Sequence, residues 1–283
     1  MPMRDDFAVF ILSHGRPHNV KTYKTLVRQG YSGKWFLVLD NEDATINEYM
    51  DEFGEENVIV FDKAAIAKTF DQADLSDDRR TVVYARNACF DIAKQLGLRY
   101  FLELDDDYTA FRTRYEEDGK LKSKLVSDLD YVFEAMVDFL TDSGALTIAF
   151  SQGGDFIGGL GNAFWKNRTK RKAMNTFFCD VNKPFKFVGR INEDVNTYTL
   201  LGNQGELILS VADVQFDQLD TQSNAGGMSD VYLDKGTYLK SFYSVLFSPQ
   251  CVKVIEIGRH KRPHHRVAWN NCTPMIMSEK IKR

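Results

Sequence analysis

The sequence predicts an α/β protein built on a mostly parallel sheet sandwiched by helices. Two observations carry that prediction. Short apolar runs alternate with amphipathic, glycine-ended stretches through the first hundred residues, and three of those runs stop at polar groups able to do chemistry. Strands separated by helices imply parallel β-α-β units, with helices on both faces of the sheet.

Phe7-Ala8-Val9-Phe10-Ile11-Leu12 is a continuous apolar run, the mark of a strand buried on both sides. It stops at the breaker cluster Ser13-His14-Gly15-Arg16-Pro17. A helix is expected from Asn19 to Gln29, ended by Gly30. Trp35 to Leu39 forms the second strand and leads to Asp40. Glu42 to Phe53 reads as a short helix before Gly54, and Val58 to Phe61 as the third strand. Thr81 to Leu96 carries Val83, Ala88, Cys89, Ile92, Ala93 and Leu96 near helical spacing, with Gly97 as its stop. Tyr100 to Leu104 is the fourth strand and runs into Asp105-Asp106-Asp107. Ligands of such sheets bind outside the carboxyl ends of the strands. Ser13 to Arg16, Asp40 and Asp105 to Asp107 are therefore expected to line one crevice.

The second half is less regular. Asp128 to Leu140 places Leu129, Val132, Phe133, Met136, Val137 and Leu140 on one helix face, with Asp128 suited to the helix dipole. Thr147 to Phe150 is a short strand leading into a glycine-rich stretch that ends at Gly161. Glu206 to Val211 is a further strand, and the chain after Ile255 reads as basic and mostly irregular.

Composition narrows the class. The 283 residues suit one large domain or two closely joined ones, and 43% apolar residues with 13% aromatics exclude a disordered chain. No apolar run approaches the roughly 20 residues of a membrane helix, and the first residues lack the apolar core of a secretory leader. Cys89, Cys179, Cys251 and Cys272 are scattered with no C-x-x-C pair, so neither a zinc knuckle nor a disulfide scaffold is indicated and a reducing cytoplasm is expected. Net charge is −4, yet residues 159–190 and 250–283 together sum to +13 and leave −17 on the rest. That asymmetry fits either a local polyanion site or a pair of solvated basic loops.

Four clusters carry candidate chemistry. Asp105, Asp106 and Asp107 repel one another, and a divalent cation offsets that repulsion. Magnesium or manganese combines one or two carboxylates with substrate phosphates. An acidic turn in water is the alternative. Glu193 and Asp194 form an adjacent acid pair after an apolar stretch, and a helix start capped by Asn192 fits the same residues. His260, His264 and His265 gather with Arg259, Lys261, Arg262 and Arg266, as a polyanion-binding tail also would. Finally, Lys166, Arg168, Lys170, Arg171 and Lys172 place five cations in seven residues beside Phe164 and Trp165, after a glycine-rich and mobile stretch. A basic loop with aromatics neutralises backbone phosphates and stacks against, or fills the gap left by, an unstacked base. An enzyme acting on a base within a duplex must extrude it.

Ser13-His14-Gly15-Arg16 after the first strand, Asp40 after the second, Tyr84-Ala85-Arg86-Asn87-Ala88 opening a helix and an Asp-x-Asp pattern at Asp105 to Asp107 resemble the GT-A type of nucleotide-sugar-dependent glycosyltransferase. The resemblance covers about residues 7–110 and implies a Rossmann-related, GT-A-like fold. It also implies Mn²⁺ or Mg²⁺ held on the donor diphosphate by Asp105 and Asp107, with His264 or His265 as a further ligand. Asp40 would contact the uracil or ribose, and Ser13, His14, Arg16, Arg86, Asn87 and Asp106 would complete the donor site. For Arg86 a helix-face salt bridge remains open, as does a place on the helix surface for Asn87. The Glu193-Asp194 pair resembles the pair that supplies the base, Asp194 being favoured and Glu193 the alternative. Arg259, Lys261, Arg262 and Arg266 would screen the departing diphosphate.

Along the whole chain, Ile11 to Arg16, Tyr84 to Ala93, Glu103 to Tyr108 and His264 to Asn270 are similar to the phage family of TET/JBP-associated glycosyltransferases. That likeness implies transfer of a hexose, glucose, from a UDP-sugar to the hydroxymethyl group of 5-hydroxymethylcytosine or 5-hydroxymethyluracil in DNA. Residues 1–110 would bind the nucleotide sugar, and 111–283 would bind the acceptor as the other half of the same domain. DNA contacts would come from Phe164, Trp165, Lys166, Arg168, Lys170, Arg171 and Lys172, with no membrane partner and a cytoplasmic setting. Two other readings stay open: the same chemistry on a glycan or small hydroxylated acceptor, and a non-catalytic DNA-binding module on a decayed transferase fold.

Overall fold

A computed structural model describes residues 3–74, 77–218, 239–257 and 261–271. The four expected strands are β1 (Phe7–Leu12), β2 (Lys34–Asp40), β3 (Val58–Phe61) and β4 (Tyr100–Asp105), all parallel in the order β3-β2-β1-β4. Side chains alternate strictly across this sheet, as the two-residue strand period demands. Phe7, Val9 and Ile11 enter one core, and Ala8, Phe10 and Leu12 enter the other. Helices α1 (Lys21–Arg28) and α2 (Ile46–Phe53) contribute to the first core, while α3 (Lys63–Ala67) and α4 (Val83–Gln95) cover the second.

Two helices start later than their sequence patterns suggest. Pro17-His18-Asn19 form a 3-10 turn before α1. Before α2, the Asp43 carboxylate accepts from the amides of Gly15 and Thr45 and holds the loop as a turn.

Beyond residue 105 the sheet becomes mixed. Strands β5 (Tyr108–Glu117) and β6 (Lys120–Leu125) form an antiparallel hairpin that the sequence reading lacked. Helix α5 (Leu129–Ser143) follows, with the Asp128 side chain accepting from the Tyr131 amide. Next come β7 (Thr147–Gln152), α6 (Ala163–Asn167), β8 (Thr169–Lys170), β9 (Phe177–Asp180), α7 (Glu193–Asn203) and β10 (Ile208–Gln218). Among the described residues they complete a ten-stranded sheet, continuing from β4 as β9-β7-β10-β5-β6 with β8 beside β10. Residues 239–247 are helical. The tail expected to be irregular instead forms an antiparallel pair, β11 (Val252–Ile257) with β12 (Arg262–Val267). Among the described residues no helix is long and apolar enough to cross a membrane.

Candidate active site

Strand register positions the site. Leu12 pairs with Val38 on one side and Asp105 on the other, so Ser13, Asp40 and Asp105 leave the sheet next to one another. Alternation then decides where each acid of β4 points. Tyr100, Leu102 and Leu104 face the core under α1 and α5, whereas Phe101 faces the core under α4. Glu103 and Asp105 therefore share the α4 face.

Arg86 of α4 meets them there. Its guanidinium is 1% exposed and donates from Nη2 to Asp105 Oδ1 at 2.9 Å and from Nε to Glu193 Oε1 at 3.1 Å. Nη1 lies 3.5 Å from Glu103, and the Phe177 ring sits 4.9 Å below the guanidinium carbon. Burial opposes the charge, yet Asp105, Glu193 and Glu103 outweigh it and raise the Arg86 pKa. Burial pushes Glu103 up to about 8, despite Arg86. Arg86 is thus neither a surface ion pair nor an open nucleotide contact; it ties the aspartate triplet to the acid pair of α7. Asn87 also departs from its expected donor contact. It is fully buried, and its amide clamps the backbone carbonyl and N–H of Phe187.

The three aspartates are not equivalent. Asp106 turns inward, where Ser13 Oγ and Arg16 Nη2 both reach its Oδ2, so it braces the β1 turn instead of facing a donor. Burial pushes its carboxyl up to about 6, against the pull of Arg16. Asp107 has no hydrogen bond or ion pair among the described residues. Burial, then repulsion from Asp105 and Asp106, pushes it up to about 7. An acid held in this way favours a cation. Among the described residues, however, no three His, Cys, Asp or Glu side chains converge on a metal position. His264 and His265 therefore do not complete a ready-made set with Asp105 and Asp107.

Ser13 Oγ also meets Tyr49 OH at 2.7 Å, and the Arg16 amide donates to the same Tyr49 oxygen at 2.9 Å. Asp40 is buried and engaged on both oxygens: Oδ2 meets His14 Nδ1 at 2.8 Å and Lys63 Nζ at 3.1 Å, and Oδ1 accepts from the Glu42 amide. The half-exposed His14 ring, not Asp40 itself, is presented to the crevice. Lys63, Asp43 and Tyr49 were not singled out in the sequence, because each acts through a partner on another strand or helix.

Glu193 and Asp194 open α7, close to Arg86. Burial and then Asp194 push Glu193 up to about 7, with Arg86 pulling it down. Burial also raises Asp194, although the Val195 amide, Arg86, Lys240 and Lys172 draw it back. Asn192 stands at the cap position in a left-handed conformation (φ 60°) without capping through its side chain. That side chain instead donates to Ser244 Oγ at 2.6 Å and lies 3.3 Å from His265 Nδ1. Gly189, at φ +80°, is required before this helix, since a Cβ there would also meet the side-chain Nδ2 of Asn196 at 2.3 Å.

On β12, Arg262, His264 and Arg266 are exposed, and His265 is less so. Burial pushes His265 down to about 3, with repulsion from His264, Lys240 and Lys172 adding to the effect. Lys240, absent from the sequence reading for want of any local signal, is itself lowered by burial against the pull of Asp194 and Glu193. Lys261 is exposed, 4.0 Å from Glu256. Arg259 and His260 lie outside the described residues.

The basic segment is only partly a surface. Phe164 and Trp165 are each 5% exposed and pack with Phe156 and Ala212, so neither is a stacking platform. Arg168 lies over the Trp165 ring at 3.9 Å and pairs with Asp213. Arg171 covers Trp269 and donates to the Gly202 carbonyl, and Lys172 is tied to Asp155 at 2.8 Å. Lys166 and Lys170 are exposed, with Lys170 3.6 Å from Asp155.

This α/β sheet carries carboxylates at its strand ends and a second acid pair bridged to them by Arg86. The profile of the TET-associated glycosyltransferases matches residues 7–227, and the chain belongs to that family. Among solved structures, TarS (1-349) of S. aureus is similar at 11% identity and a TM-score of 0.40, the match covering 74% of this chain and 59% of that one. Glucosyl-3-phosphoglycerate synthase of Mycobacterium tuberculosis, solved with Mg²⁺ and UDP, is 8% identical with a TM-score of 0.43, covering 93% of this chain and 86% of that one. Its complex with Mn²⁺ and UDP-glucose gives 7% and 0.43, with the same coverage. No curated protein matches the sequence.

Proposed function

We propose that this chain transfers a hexose, glucose, from a UDP-sugar to the hydroxymethyl group of 5-hydroxymethylcytosine or 5-hydroxymethyluracil in DNA. Family membership supports glycosyl transfer. The observation that carries the mechanism is the Arg86 bridge from Asp105 to Glu193, which sets a diphosphate-side carboxylate and a candidate base around one rigid group.

The donor set fits a hard divalent cation. Asp107 is half-buried, has no hydrogen bond or ion pair to another described residue and is crowded by two further acids. Two carboxylates without a third protein ligand suit Mn²⁺ or Mg²⁺, which fills its remaining positions with phosphate oxygens and water. Bound there by Asp105 and Asp107, the ion would neutralise charge on the leaving diphosphate. Ser13, Arg16 and Asp106 hold the turn beside it, and His14, supported by Asp40 and Lys63, faces the nucleotide. In the reaction the acceptor hydroxyl oxygen bonds to sugar C1 as the bond from C1 to the diphosphate breaks. Asp194 takes the hydroxyl proton, and Glu193 keeps its place through Arg86. Arg262, Arg266, Lys261 and Arg259 oppose the charge of the departing UDP.

Residues 1–110 form the donor half in this reading, and residues 111–283 the acceptor half, in the cytoplasm of a bacterial host. Lys166, Arg168 and Lys170 contact DNA phosphates. The test is intact-mass analysis of nucleosides digested from hydroxymethylated DNA after incubation with UDP-glucose and Mn²⁺. A hexose increment on the hydroxymethyl nucleoside is expected. Donor turnover with a small hydroxylated acceptor, but none on DNA, would replace this acceptor with the small-molecule one.

A further inference from the structure

Residues 156–159 build a rigid corner with an apolar tip. Ile157 has φ −59° and ψ 124°, and Gly158 has φ 100° and ψ −1°, which is the pattern of a type II turn with Ile157 at its outer position. Ile157 is 82% exposed, more than any other large apolar side chain among the described residues. The corner is pinned from below. Asn162 Nδ2 donates to the carbonyls of Ile157 at 2.6 Å and Asp155 at 3.0 Å, while its Oδ1 accepts from the Phe164 amide. Phe156, one residue before the tip, stacks on Phe164 at 5.6 Å within a buried cluster. The stretch that looked mobile in the sequence is a braced mount for one branched side chain.

A singly exposed apolar residue is ordinary on a protein surface. Its surroundings set this one apart. Lys172 and Lys170 approach Asp155 at 2.8 and 3.6 Å, Arg114 lies over the Phe156 ring at 4.5 Å, and Lys166 is exposed on the adjoining α6. An apolar point on a basic stretch of the chain complements a base stack edged by phosphates. The other end of the same loop, Gln152 and Gly153, lines a cleft of about 310 Å³ with Phe216, Asp217 and Gln218. Gln218 pairs with Tyr108, the residue after Asp107, which puts the cleft beside the aspartate triplet. Its volume admits a pyrimidine ring.

We propose that Ile157 is a wedge that enters the DNA base stack as the target pyrimidine turns out into this cleft. Apolar side chains inserted between base steps stabilise a locally unstacked duplex in this way. The proposal rests on DNA being the acceptor. It assigns to Ile157 the gap-filling role that the buried Phe164 and Trp165 do not serve.

The experiment compares initial glycosylation rates of wild type, Ile157→Ala and Ile157→Leu. The acceptor is one hydroxymethylcytosine oligonucleotide presented single-stranded, in matched duplex, or opposite an abasic site. For Ile157→Ala, a loss of about tenfold or more is expected on matched duplex, with the single strand and abasic duplex within about twofold of wild type. Ile157→Leu should retain the duplex rate. 2-Aminopurine beside the target should brighten on binding wild type and not the alanine variant. An unchanged duplex rate for Ile157→Ala, or an equal loss on single and double strands, overturns the wedge alone. Retention of wild type but not Ile157→Ala by phosphatidylserine-containing vesicles, with duplex rates equal, overturns it in favour of a lipid surface. If wild type modifies none of the three DNA forms, the acceptor reading fails and the wedge falls with it.

Discussion

Arg86 grips Asp105 with one edge of its guanidinium and Glu193 with another, although 19 and 107 residues separate them along the chain. The aspartate at the end of β4 and the acid at the start of α7 are held to one planar group. Replacing Arg86 with leucine leaves Glu103 and Glu193 buried without a counter-charge, a loss of about 3–5 kcal/mol. Denaturant unfolding should show a midpoint shift of that size. Arg86→Lys keeps the charge but not the fork, so it should recover part of the stability and less of the rate. A leucine variant as stable as wild type would mean that the bridge does not organise the site.

Asp107 makes the opposite prediction. Its carboxylate is crowded by Asp105 and Asp106, so Asp107→Asn removes repulsion from the metal-free protein. The variant should melt at or slightly above the wild-type temperature without added metal. Mn²⁺ should raise the wild-type melting temperature, as any ligand of the folded state does, and leave the variant unmoved. Sugar transfer should be lost. An equal manganese shift in both proteins would place the ion elsewhere.

Much of this site was legible in the sequence because it sits at strand ends, where apolar runs stop abruptly. The sharing of one crevice by Ser13, Asp40 and Asp105 was expected from where those runs stop, and the register of Leu12 with Val38 and Asp105 brings them together. The β5–β6 hairpin has a local signal as well: Asp118-Gly119 at its tip, both at positive φ, is a hairpin turn pair. The partners of Arg86 were not readable. Glu103 looks like a lone acid in an apolar strand, and Glu193 becomes its neighbour only when α7 packs against α4. Lys240 lies in no motif, and the burial of Phe164 and Trp165 depends on Phe156 and Ala212 closing over them. Composition alone made those two rings look like an exposed nucleic-acid surface.

Asp194 is the assigned proton acceptor, and burial raises its pKa. A base works only when ionised. The rate should therefore fall as pH drops through that raised value, at a higher pH than the ~3.9 of an ordinary aspartate would give. Asp194→Asn should lower kcat by about 10²–10⁴ with KM little changed, the usual contribution of general base catalysis. The pH–rate profile of the residual activity should lose this acid limb. Near-normal turnover would move the base to Glu193 or beyond.

The His14–Asp40 pair gives stability a pH dependence of known sign. The hydrogen bond to Asp40 raises the His14 pKa above 6.5, with burial opposing it. A raised folded value means that the stabilisation is full below the unfolded pKa and disappears as pH climbs through the folded one. Asp40 carries a lowered pKa, with burial opposing the pull of His14 and Lys63, so its share is lost only as pH falls below 3.8. His14 is half-exposed, which limits the pair to about 0.2–1 kcal/mol. His14→Gln should therefore unfold more easily than wild type at pH 6 and match it at pH 9. Parallel curves across that range would remove the ion pair.

The basic segment divides into cations that hold the fold and cations that face outward. Lys172 is tied to Asp155, and Arg171 covers Trp269 and the Gly202 carbonyl, so their loss should appear first in thermal unfolding. Lys166, Arg168 and Lys170 are exposed and meet phosphates once Arg168 leaves Asp213 and Lys170 leaves Asp155. Each phosphate contact contributes about 0.9 to the slope of log affinity against log salt. Replacing all three with glutamine should flatten that slope by roughly 2–3 and weaken DNA binding at low salt, with a smaller drop in melting temperature than neutralising Arg171 and Lys172 produces. Titrations of a fluorescent duplex across a salt series read this directly. If the triple variant keeps the wild-type slope, the phosphates lie against another face, and the β11–β12 pair with Arg262 and Arg266 becomes the surface to neutralise next.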